Sequence, residues 1–173
     1  MHTGPLSSAP PAKIIVFTDR HTILAEMQTG SRRLSDVVND PLRHQFVLDN
    51  ARINRSDRMD ECVGTYPQIT VRRDAIQGLL IMTEPPRPAQ QRLANYVAKT
   101  PVRIAVLLPA FLIEGDIYLP GKIDATIQVL EGTEGFAVLS QATATLTYRT
   151  GGPINVATAM VHRGHMELAT VVG

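Results

Sequence analysis

Short apolar or alternating runs, separated by Gly, Pro, Asn and Asp, dominate the chain and predict strands rather than long helices. The first half offers runs at 13–17, 22–28, 33–38, 44–53, 68–73 and 75–83, and the second at 102–108, 111–119, 122–130, 135–148, 154–161 and 165–172. Thr143, Thr145 and Thr147 alternate with Ala144, Leu146 and Tyr148, the pattern of a strand with one buried and one wet face. Slid along itself by 90 residues, the chain falls back into step: Pro11, Lys13, Ile14 and Val16 meet Pro101, Arg103, Ile104 and Val106. Farther on, Ile23 meets Ile113, Phe46 meets Phe136, Val71 meets Val161 and Arg73 meets Arg163. A fixed offset of this kind marks two copies of one small unit.

Between the copies, the Pro-rich run 84–88 stops any strand, because proline cannot donate to a ladder. Residues 89–99 follow with helix formers and Leu93, Tyr96 and Val97 at helical spacing, which predicts one short amphipathic helix. The expected organisation is a loose tail (1–12), a first unit (13–84), a linker with the short helix (85–101) and a second unit (102–173).

Composition narrows the partners more than the fold. The 173 residues are 44% hydrophobic and 19% charged, ordinary for a folded domain or two compact ones. A net charge of +1, spread evenly over both halves, gives no bulk attraction for nucleic acid or an acidic membrane. DNA and membrane are therefore not expected partners. The single cysteine, Cys62, rules out an intrachain disulfide and fits a reducing compartment. Residues 1–12 lack the apolar core of a signal peptide, so a cytoplasmic location is expected.

The first unit carries a resemblance. Gly30-Ser-Arg-Arg-Leu-Ser-Asp-Val-Val-Asn-Asp40, followed by Phe46-Val-Leu-Asp-Asn-Ala51, resembles the first Sm motif: a glycine turn, a bent strand with an acidic end, then an apolar strand. Val71-Arg-Arg-Asp-Ala-Ile76 is similar to the second motif, with 52–68 as the variable loop between them. The resemblance implies an all-β protein: two tandem Sm-like (SH3-like) five-stranded antiparallel barrels whose edge strands pair with neighbours as a homo-oligomer. It also implies single-stranded RNA as a possible ligand. Arg72 stands at the family's Arg, Gln45 at its Asn, Arg73 at its Gly, and Asp40 one residue from its Asp. In the second unit Arg163-Gly164 restores an Arg-Gly pair, while Gly135 falls opposite Gln45. Arg32 and Arg33, with Arg72 and Arg73, are the densest basic pairs, read either as a phosphate clamp or as a face neutralised by Asp36, Asp40 and Asp74. The RNA-contact candidates are therefore Arg32, Asp40, Gln45, Arg72, Arg73, Arg163 and Gly164.

No other constellation announces chemistry. His162 and His165 lack the further ligands a zinc site needs, and the loop of Asp57, Asp60 and Glu61 lacks calcium-loop spacing. Acidic neighbours work against a nucleophilic Cys62. Phosphate-binding loops, nucleophile elbows and Ser/His/Asp order are missing, so neither catalytic residue, metal nor cofactor is expected. Three function classes follow: a noncatalytic assembly module, an RNA-binding protein, and an enzyme whose site forms between subunits.

Overall fold

A computed structural model describes residues 9–58, 60–86, 99–121, 123–133, 135–147 and 152–173. The expected helix over 89–99 lies outside these residues, except for Lys99, as do residues 1–8 of the expected tail. In the first half the strands are β1 (Ala12–Phe17), β2 (His21–Met27), β3 (Gln45–Arg55), β4 (Cys62–Arg72) and β5 (Gly78–Thr83). The second half contributes β6 (Lys99–Leu107), β7 (Phe111–Pro120), β8 (Phe136–Leu146), β9 (Ile154–His162) and β10 (Leu168–Val171). Among the described residues one short helix sits in each half, α1 (Leu34–Val38) and α2 (Ala125–Glu131), and 3-10 turns at Arg73–Ala75 and Arg163–His165 precede the last strands.

All ten strands join one antiparallel sheet in the order β10-β6-β7-β8-β9-β5-β1-β2-β3-β4. The protein is all-β, and each half has the same internal order, its fifth strand beside its first. The halves meet where β5 pairs with β9, with Gly78 opposite Val161 and Ile81 opposite Thr158. The chain thus forms a single ten-stranded sheet with two apolar cores, and β1 contributes to both. Ile14 and Val16 of β1 pack into one core while Ile15 and Phe17 pack into the other. Alternating side chains explain this, since a strand at the middle of a covered sheet buries both faces. Phe17 stacks on Phe111 of the other half with ring centroids 3.8 Å apart, and Phe136 and Met160 enter the core of the first half.

Several sequence expectations change. The run 33–38 is helix α1, not a bent strand: Leu34, Val37 and Val38 are buried, the i, i+3, i+4 stripe of a helix. Its N-terminus is held by Glu84, whose carboxylate accepts the Leu34 N–H at 2.9 Å. The run 122–130 likewise holds α2, whose first turn is capped by Asp124 accepting from Thr126 N–H at 2.8 Å. The expected variable loop 52–68 is mostly strand, because β3 runs on to Arg55 and β4 starts at Cys62. Ala12, placed in the tail by sequence, is buried in β1 opposite Met27, and Lys99 to Pro101, placed in the linker, already pair with β7.

The repeat itself is not rigidly 90 residues. Gly78 pairs with Phe17 in the first half as Leu168 pairs with Leu107 in the second, an offset of 90 for both strands. In β8, however, Phe136 lies opposite His162, whereas in β3 it is Gln45 that lies opposite Arg72. Since His162 is Arg72 plus 90, β8 runs at an offset of 91, and so do the left-handed glycines Gly30 and Gly121. Phe136 therefore occupies the place of Gln45, and Ala137 that of Phe46. One inserted residue moves the repeat match by one place, so Phe136 stands on the face that meets the other half's core, while Ala137, Leu139 and Ala142 face their own half's core as Phe46, Leu48 and Ala51 face theirs. No helix among the described residues is long and apolar enough to cross a membrane.

Candidate functional site

The candidate residues converge on the junction between the halves, where the end of α1, the start of β8 and the two 3-10 turns meet. Backbone geometry brings them there. Each 3-10 turn follows the fourth strand of its half, β4 at the end of the sheet and β9 at the junction, so Arg73 and Arg163 leave the sheet at matching points. At the centre, Asn39 uses its side-chain amide to satisfy Phe136 on both sides, accepting its N–H at 2.9 Å and donating to its carbonyl at 3.1 Å. An amide side chain thus stands in for one ladder step of a neighbouring strand.

Beside it, Arg73 donates to the Asp40 carbonyl at 2.7 Å and the Arg43 carbonyl at 3.4 Å, with its guanidinium 5.7 Å from the centre of the Phe136 ring. Gly135 makes room for it: a Cβ there would lie 2.5 Å from an Arg73 guanidinium nitrogen. Arg163 plays a related part in the second half, donating to the carbonyls of Gln128 and Val129 in the last turn of α2. Cations suit this end of a helix, where carbonyls lack intrahelical partners.

The other candidates are also engaged. Arg32 pairs with Asp40 at 2.9 Å and donates to the Asp36 carbonyl at 3.0 Å. The hydrogen bond from Arg32 to the Asp40 carboxylate, the Leu42 N–H and nearby Arg43 hold the Asp40 carboxyl below the ordinary carboxylate range. Arg72 pairs with Asp74 in a bidentate contact on an exposed surface. Gln45 is exposed on β3, opposite Arg72 across the ladder. The Gly164 N–H donates to His162 Nδ1 at 3.1 Å.

Structure also adds residues that sequence reasoning set aside. His162 stacks edge-on against Phe136 at 4.7 Å and lies 5.0 Å from His165. His165 in turn donates through Nε2 to the Asp74 carbonyl at 2.8 Å, tying the two 3-10 turns together. Burial, with the charges of His165 and Arg73, pushes the His162 imidazole below its ordinary value. Asn39, the central clasp, gave no signal beyond its place in the Sm-like run, because its partner lies 97 residues away.

Two adjoining clefts share Arg33, Lys99 and Val138. One, of about 570 Å³, is also lined by Tyr118, Gln128 and Arg163, and the other, of about 560 Å³, by Arg32, Asp36 and Asp40. Basic residues face both, but in the second the carboxylates of Asp36 and Asp40 offset them. No nucleophile and base stand in contact around this junction among the described residues. Compared with family models, curated proteins and solved structures, the chain matches none.

Proposed function

We propose that this chain is a noncatalytic, Sm-like assembly module that works through the open edges of its sheet. In this reading each half is one bent five-stranded barrel, and the two are already joined edge to edge within the chain. The observation that carries it is topological: both halves have the order fifth, first, second, third, fourth strand, and their junction joins the fifth strand of one to the fourth of the other. That junction leaves β4 and β10 at the ends of the sheet formed by the described residues, each with a row of backbone groups open on that side to another strand.

RNA binding is the alternative, through Arg32, Asp40, Gln45, Arg72, Arg73, Arg163 and Gly164. The internal partners of these arginines favour assembly. Arg32 and Arg72 face carboxylates, and Arg73 and Arg163 are bonded to backbone carbonyls. Phosphate would have to displace those partners. The test is the mass of the purified chain by light scattering, before and after nuclease. A mass of several chains that nuclease leaves unchanged is the expected result. Copurifying RNA, released steeply with salt as phosphate contacts require, would carry the alternative instead.

A further inference from the structure

Independently of how the chain assembles, we infer that the cleft beside α2 binds a small organic dianion, a phosphomonoester with a flat apolar body, through Lys99, Tyr118, Gln128 and Ser140. The sheet explains why three of these side chains meet. Lys99 lies opposite Pro120 and Pro101 opposite Tyr118, while Ser140 lies opposite Asp116, two places from Tyr118 on β7. Alternation therefore sets Lys99, Tyr118 and Ser140 on one face of β6, β7 and β8. Gln128 lines the same cleft from α2.

Charge names the class of ligand. Arg33 and Arg163 also line this cleft, and no carboxylate does so among the described residues. The Arg163 guanidinium is bonded to the α2 carbonyls and contributes its charge from there. Asp116, farther along the same face, is paired with Arg103 at 3.3 Å. Lys99 has no ion-pair partner among the described residues, and the side chains of Tyr118, Gln128 and Ser140 form no hydrogen bond with them. One ammonium and three neutral donors thus face a space where no protein carboxylate competes for them. Three positive charges around about 570 Å³ suit a dianion, and that volume is typical of a small-molecule site. The Tyr118 ring, 47% exposed, with Pro120 and Val138 beside it, supplies an apolar wall for the ligand's body.

This pattern fits a compact ligand rather than a strand of nucleic acid. A polymer of phosphates needs a continuous cationic track, and here the adjoining cleft brings in Asp36 and Asp40. Lys99, Tyr118, Gln128 and Ser140 also lie outside the Sm-like runs.

Comparison of the halves shows that the architecture alone does not produce these donors. Lys99 and Tyr118 are Ala9 and Gln28 plus 90, the offset shared by the β1–β2 and β6–β7 registers. Ser140 is Asp49 plus 91, in step with the rest of β8. An alanine, an amide and a carboxylate thus stand where the second half has a cation, a phenol ring and a hydroxyl. The same strands carry both sets, so the anion-attracting set belongs to the side chains of the second half.

Titration calorimetry of the full chain at fixed ionic strength tests this, with phenyl phosphate, inorganic phosphate and an oligouridylate as probes. Phenyl phosphate should bind the wild type more tightly than inorganic phosphate does. Lys99→Ala, which installs the first half's residue, should weaken phenyl phosphate by at least about tenfold, the worth of one charge-assisted hydrogen bond. Lys99→Arg keeps the charge and should retain binding. Tyr118→Gln removes the ring and keeps a donor, so it should weaken phenyl phosphate and leave inorganic phosphate unchanged. Both positions are exposed, and urea midpoints should match that of the wild type. Absence of saturable phenyl phosphate binding up to about 10 mM, or equal affinity in the wild type and Lys99→Ala, would overturn the site. An oligouridylate that displaces phenyl phosphate and binds far more tightly would overturn it in favour of a nucleic-acid groove.

Discussion

Asn39 clasps Phe136 by both of its backbone groups, at 2.9 and 3.1 Å, across 97 residues of chain. Phe136 is fully buried, so its N–H and carbonyl have no water to turn to when the amide is removed. Asn39→Ala should lower stability by about 1–3 kcal/mol, the cost of orphaned buried groups. Asn39→Asp keeps the acceptor for the N–H and should fall between. Urea unfolding checks this: the midpoint should drop while the slope stays constant.

The stack of Phe17 on Phe111 ties the two halves through one core. Either residue changed to Ala should cost about 3–5 kcal/mol. In a double-mutant cycle with the milder Leu substitutions, the pair should couple by about 0.5–1.5 kcal/mol, as stacked rings do beyond their burial. A coupling of zero would mean that the halves are held by the β5–β9 ladder alone.

Gly135 and Arg73 form a steric pair, since a Cβ at 135 meets the guanidinium. Gly135→Ala alone should destabilise by about 1–2 kcal/mol through overpacking. In an Arg73→Ala background the same change should cost much less, because the colliding group is gone. Thermal unfolding of the four variants reads the difference.

His162 gives the fold a pH dependence of definite sign. Its folded-state value lies below the unfolded one, so its contribution is present above the unfolded value and is lost as pH falls through the folded one. Protonation at Nδ1 would also end the bond from the Gly164 N–H. Stability should therefore decline as pH falls below about 6.5, and His162→Gln should flatten that decline. Asp40, whose carboxyl is also depressed, acts in the same direction but in a lower window, below about pH 4. Denaturation midpoints measured across both windows separate the two groups.

Much of this was legible in the pattern of residues. The β-rich texture, the likeness of the two halves and the match of Arg73 with Arg163 all follow from spacing, while the 3-10 turns that carry the two arginines do not. The helices α1 and α2 have the look of strands in the sequence because each is a single short stripe. Leu34, Val37 and Val38 carry helical spacing, but in too few residues to outweigh the β-type neighbours. The fate of the candidate arginines was not legible either, since carbonyls that accept a guanidinium leave no mark on side-chain composition.

By itself, then, the sequence determined the repeat and the strand-forming units, because side-chain alternation and turn residues are local and act within a few positions. Tertiary structure alone decided that the units share one sheet, that Phe136 replaces Gln45, and that Asn39 clasps the junction. Each of those depends on register between segments far apart in the chain. A single inserted residue, invisible against a 90-residue period, is enough to put Phe136 at the place of Gln45, on the face that meets the other half's core.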